Sequence, residues 1–94
     1  MIGDDGIDLG HGVRYVFVSW RRYERAGILE EHTAPDGKRC GGSVLFDLPG
    51  IAEAFPDHEL WMVTSYDPLS LTPSLQCSCG HHGWITDGQW VPAS

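Results

Sequence analysis

The chain is short of positive charge. It carries 6 Lys and Arg against 13 Asp and Glu over 94 residues, a formal net charge of −7. That balance repels phosphate and excludes generic binding to DNA or RNA. Five of the basic residues fall in two groups, Arg21, Arg22 and Arg25, then Lys38 and Arg39. Charges of this kind ordinarily form a solvated face; the sharper reading is a local contact patch for an acidic partner or a single strand, with Arg21, Arg22 and Arg25 as the candidate binding residues. Long apolar runs are also lacking, so no segment reads as a membrane-spanning helix. The start, Met1-Ile2-Gly3-Asp4-Asp5, is acidic and has no basic region followed by an apolar one, so it does not read as a secretory signal. Cysteine is scarce. Three cysteines cannot all pair, which argues against a disulfide scaffold and for a reducing cytoplasm.

What is present reads as short strands. A single domain over 1–94 is expected, with 1–11, rich in Gly and Asp, as an irregular lead-in. Val13 to Trp20 is β-branched and aromatic on both faces, which suits a central strand. Arg21 to Ala26 reads as one short helix or a bend, and Ile28 to Thr33 as a short mixed segment. Pro35-Asp36-Gly37 is a turn, because Pro presets φ and Gly accepts positive φ. Ser43 to Leu48 and Leu60 to Tyr66 are strands, with a short helix over Pro49 to Phe55 stopped by Pro56. Asp87-Gly88, flanked by apolar residues, predicts a two-residue hairpin in which Ile85 faces Trp90 and Trp84 faces Val91. The expected fold is α+β but mostly β: a small domain of five to seven short antiparallel strands with a C-terminal hairpin and a zinc knuckle.

The chemistry lies in Cys77-Ser78-Cys79-Gly80-His81-His82-Gly83. Thiolate and imidazole are the donors that zinc prefers, in tetrahedral array. Cys79 and His82 are spaced so that a tight turn can aim both at one ion, and Cys40, in Arg39-Cys40-Gly41-Gly42, is the distant donor. The predicted structural zinc site is therefore Cys40, Cys77, Cys79 and His82. Adjacent His81 and His82 point to opposite faces of a strand, so one of them binds. His81 and His32 are the reserve ligands, and whether either replaces His82 or Cys77 stays open. A redox disulfide from Cys40 to a later cysteine is the other use of these thiols. No H-E-x-x-H, no H-x-E paired with P-C-x-x-C and no G-x-S-x-G occurs. No catalytic residue is named, and a metal-dependent hydrolase ranks as an alternative only.

Four tryptophans are many for this length. Aromatics bury the most area per residue and ordinarily build the core. Trp84 and Trp90, beside the cysteine loop, are also candidate interface anchors together with Arg21, Arg22 and Arg25.

From Asp67-Pro68-Leu69 through Pro73-Ser74-Leu75, Cys77, Cys79-Gly80, His82-Gly83, Ile85, Gly88 and Trp90-Val91-Pro92-Ala93, the chain resembles the C-terminal signature of a family of small proteins from actinobacteria and their phages and prophages. Cys40-Gly41-Gly42-Ser43-Val44 with Phe46, and Trp61 with Val63, are similar to its central part. The resemblance covers about half the chain, and positions 1–30 carry none of it. It places Cys77, Cys79 and His82 at the family's metal-ligand positions, with one residue, Ser78, where the family has two between its cysteines. It carries no activity. It implies an accessory protein of phage or prophage that binds and inhibits a host protein, or alternatively a virion decoration component.

Overall fold

The computed structural model describes residues 2–93. Met1 and Ser94, the ends of the expected 1–94 domain, lie outside the described residues. Among the described residues there are nine strands and one helical turn. Six strands form one sheet in chain order: β1 (Ile7–Gly10), β2 (Val13–Trp20), β3 (Tyr23–Thr33), β4 (Arg39–Phe46), β5 (Leu60–Tyr66) and β6 (Leu69–Thr72). A second sheet of three holds β7 (Leu75–Gln76), β8 (His82–Thr86) and β9 (Gln89–Pro92). The fold is the expected mostly-β domain with its C-terminal hairpin.

Neighbouring strands run antiparallel, with one exception. β4 and β5 are parallel and meet only at Leu45–Leu60 and Phe46–Trp61. Parallel neighbours need a crossover, and the connection between them carries the single turn of helix, α1 (Ile51–Ala54). The sequence predicted a longer helix over Pro49 to Phe55. Gly50 adopts φ 91°, which ends any continuation toward Pro49, and Ile51, fully buried, fastens the turn to the domain.

Two further expectations change. The lead-in is not irregular throughout, because Ile7–Gly10 pairs with β2 as β1. Arg21 to Ala26 is neither helix nor a simple bend. Arg21 and Arg22 form a two-residue loop with Trp20 opposite Tyr23, and β3 then runs eleven residues without interruption. The segment that read as short and mixed, Ile28 to Thr33, is the buried end of that strand.

The inner face of the large sheet supplies Leu9, Val13, Tyr15, Ile28, Val44, Phe46, Leu69 and Leu71 to the core, and Leu75, Ile85 and Trp90 of the small sheet pack on them. The C-terminal hairpin has the expected register, Ile85 opposite Trp90 and Trp84 opposite Val91. Asp87 and Gly88 both take positive φ, 51° and 74°, as a type I′ turn requires. Alternation then decides which tryptophan is buried: Trp90 faces inward at 3% exposure and Trp84 outward at 40%. Gly83 leaves the room Trp90 needs, since a Cβ there would stand 2.6 Å from its ring.

Candidate metal centre

On β3 the inward positions are Ala26, Ile28, Glu30 and His32, all buried. On β4 the residues opposite the last three are Val44, Gly42 and Cys40. Directly opposed residues share a face, with Cβ atoms about 5 Å apart. The pairing of His32 with Cys40 follows from the turn between the strands, where Gly37 N donates to Ala34 O at 2.9 Å and Ala34 N to Lys38 O at 2.8 Å. The β3–β4 hairpin thus presents one imidazole and one thiol side by side.

The other two donors come from the loop between β7 and β8. Gly80 N donates to Cys77 O at 2.9 Å and Cys77 N to His81 O at 2.8 Å, closing a compact turn with Gly80 at φ 98°. Cys77 and Cys79 are turned toward the hairpin. Cys77 Sγ lies 3.5 Å from Cys40 Sγ, and His32 Nε2 lies 3.2 Å from Cys79 Sγ. The donor atoms of His32, Cys40, Cys77 and Cys79 all lie within 4.8 Å of one another. A tetrahedral zinc ion with Zn–S near 2.3 Å and Zn–N near 2.0–2.1 Å separates its ligands by about 3.5–3.8 Å. The four residues fit that geometry and can hold a metal ion.

Electrostatics agree with the donor set. Cys77 is lowered to about 7, first by the hydrogen bond from the Cys79 backbone and then by contacts with its neighbours that outweigh burial. Cys40 is pushed up to about 11, first by its hydrogen bond to Cys77 and next by burial. Without a cation the thiols thus resist sharing negative charge. A divalent ion removes that conflict and holds all of them as thiolates.

His32 is also held from behind. Its Nδ1 is hydrogen-bonded to Glu30 Oε1, next to it on the same face of β3. With Nε2 aimed at the thiols, Nδ1 carries the proton and donates to the carboxylate, the arrangement that orients and strengthens histidine ligands. Burial raises the Glu30 pKa, against the His32 contact that works to lower it. Glu30, His32 and His81 form a second set of three close donors. That set would need His32 Nδ1 bare, in competition with its proton and its bond to Glu30, and it lacks thiolate. The four-residue set is chemically the better site.

The fourth position is therefore His32, not the predicted His82. His82 Nε2 is 2.9 Å from Ser74 Oγ, and its ring leans on Trp84. The reason is strand alternation. His82 begins β8 opposite Gln76 and faces away from the cluster, whereas His81 turns inward. The His81 ring stacks between His32 at 4.0 Å and Trp90 at 4.6 Å, and burial together with neighbouring His32 lowers its pKa.

Of the proposed contact residues, Trp90 belongs to the core and is no surface anchor, whereas Trp84 is exposed. Arg21, Arg22 and Arg25 are all exposed and lie far in the fold from the cysteines, at the opposite end of β3. Arg21 covers the Trp20 ring at 4.4 Å, while Arg25 pairs with Asp67 at 3.0 Å and lies over Phe17.

The fold and site define a class: a small β domain in which three cysteines and one histidine form a cluster able to hold a metal ion. No family model, curated protein or solved structure matches the chain.

Proposed function

We propose that the chain is a zinc-stabilised module that acts by binding a protein, with a phage or prophage accessory factor directed at a host protein as its setting. The observation that carries this reading is the four-donor cluster. Three thiolates and one imidazole complete the coordination of zinc and leave no position for water. A closed site of this kind serves architecture, and function then passes to the surface. That surface is acidic overall and carries an exposed apolar pair, Trp84 and Val91, opposed on the β8–β9 hairpin. The phage setting rests on the resemblance of the C-terminal signature alone.

Two measurements test the reading. Purified protein should contain one zinc per chain by elemental analysis, and Cys79→Ser should lose it. Less than about half an equivalent in the unaltered protein rejects the metal. Capture from host lysate should enrich a partner that Trp84→Ala fails to hold. Equal capture by Cys79→Ser, Trp84→Ala and the unaltered protein rejects specific binding.

A further inference from the structure

Beside the metal cluster lies a cleft of about 210 Å³ between the β4 edge and the β7 edge. Its cause is a missing side chain. Gly42 stands opposite Glu30 in the β3–β4 ladder, so nothing on β4 covers the Glu30 carboxylate, and a Cβ built on Gly42 meets no atom within 4 Å. β4 leaves this stretch unpaired on its outer side, because its pairing with β5 begins only at Leu45. The cleft is bounded at one end by Cys77, which touches Cys40, and at the other by Trp61, whose indole donates to Ser74 O at 3.2 Å. Leu75, His81 and Trp90 complete the walls. At about 210 Å³ the cleft admits one long side chain.

The chemistry of the slot selects the occupant. Its lining is aromatic and aliphatic apart from a few polar groups, and its one carboxylate is Glu30, only 7% exposed. Among the described residues Glu30 has one hydrogen-bond partner, His32, through Oε1, so Oε2 is left to serve a ligand. Zinc held by three thiolates and a neutral imidazole would give the neighbouring cluster a net charge of −1, a second negative centre beside the space. The half-buried Trp61 indole beside a carboxylate in a partly desolvated site attracts an organic cation with an apolar stem. We infer that the slot is an anchor pocket for a single lysine or arginine side chain of the protein partner, its stem against Trp61 and Leu75 and its charged head on Glu30. The inference rests on the protein-binding reading above and names the chemistry of the partner's anchor.

The test uses the zinc-loaded protein and three blocked pentapeptides, Gly-Ala-X-Ala-Gly with X as lysine, arginine or norleucine. Binding is followed by NMR at the indole N–H of Trp61 and Trp90 and the amide of residue 42. The basic peptides should give saturable shifts at these groups and bind at least about tenfold more tightly than the norleucine peptide. Glu30→Gln, read only in samples that retain one zinc per chain because the same residue supports His32, should lose about tenfold in affinity for the basic peptides. Gly42→Leu fills the slot without meeting another atom at its Cβ, and should abolish the shifts with zinc content unchanged. Equal binding of norleucine, an undiminished response in Gly42→Leu, or no shift with any peptide up to about 10 mM overturns the assignment. Failure here stays distinct from failure of the wider reading. A host partner captured equally by Gly42→Leu overturns the anchor and leaves protein binding standing, and zinc content on the same samples reports separately on the metal.

Discussion

The two halves of β3 face the same interior with opposite chemistry. Ala26 and Ile28 enter an apolar core and are fully buried. Glu30 and His32, next in the same alternation, are buried to nearly the same extent. An apolar side chain gains by leaving water, at about 25 cal/mol per Å². A carboxylate and an imidazole lose by it unless each finds a partner. The first half of the strand is stable on its own contacts. The second half finds its partners in the Glu30–His32 hydrogen bond and in the thiol of Cys79, one of three cysteines that with His32 could hold a metal ion. Burial is thus the same observation with two different causes along one strand: apolar packing in the first half, and in the second the Glu30–His32 hydrogen bond beside a cluster able to hold a metal ion.

The comparison breaks most sharply when the metal is removed. Chelation, Cys79→Ser or His32→Ala should each destabilise the domain severely, by an amount on the order of 10 kcal/mol at most. Far-ultraviolet circular dichroism during thermal melting reads this. His82→Ala should keep one zinc per chain, since that ring is engaged with Ser74, and loss of zinc from this variant would return His82 to the ligand set. The apolar half gives the converse. Ile28→Ala should cost about 2–5 kcal/mol through cavity formation and leave the zinc content at one, read by urea melts alongside metal analysis. A smaller effect is expected at Glu30→Gln, where a weaker acceptor behind His32 should lower metal affinity by about 10- to 100-fold in a competition titration with a chelator.

The smallest effect concerns Glu31, on the outer face of the same strand. Burial works to raise its pKa, but the Ile2 backbone N–H and the Arg39 and Arg14 guanidiniums outweigh it and hold the carboxyl below the ordinary value. A lowered carboxyl contributes stability above its unfolded pKa and loses it as pH falls through the folded value. Glu31→Gln should therefore flatten the stability profile on the acid side of the ordinary glutamate range, and an unchanged slope there would remove this contribution.

Much of the architecture was legible because it is written locally. The Asp87-Gly88 turn alone sets the register of the last hairpin, and alternation from it buries Trp90 and exposes Trp84. The choice of Trp90 as a surface anchor neglected that alternation. Three of the four clustered donors, Cys40, Cys77 and Cys79, were read from donor chemistry. His32 ranks in the sequence only as a reserve ligand behind His82, because its spacing to the cysteines is unlike that of a knuckle. Two signals pointed to it. Counting outward from the Pro35-Asp36-Gly37 turn sets Thr33 against Arg39 and His32 against Cys40. The apolar alternation of Ala26 and Ile28 also runs straight on to Glu30 and His32. What the sequence hides is the long-range part. The approach of the Cys77–Cys79 loop to β4 depends on how one sheet lies over another, and short strands with two apolar faces do not encode that individually.

The parallel step from β4 to β5 has one more consequence. It separates the β1–β4 meander from the β5–β6 pair and the small sheet, and the four donors divide with it: His32 and Cys40 before the crossover, Cys77 and Cys79 after it. Neither half holds enough ligands to close a tetrahedral site. A chain cut in the crossover, among the exposed residues 56–59, would yield two fragments that each carry half a coordination sphere. An ion bound by all four donors would bridge the two fragments and add to the core contacts between them, so a chain cut there would report on metal binding.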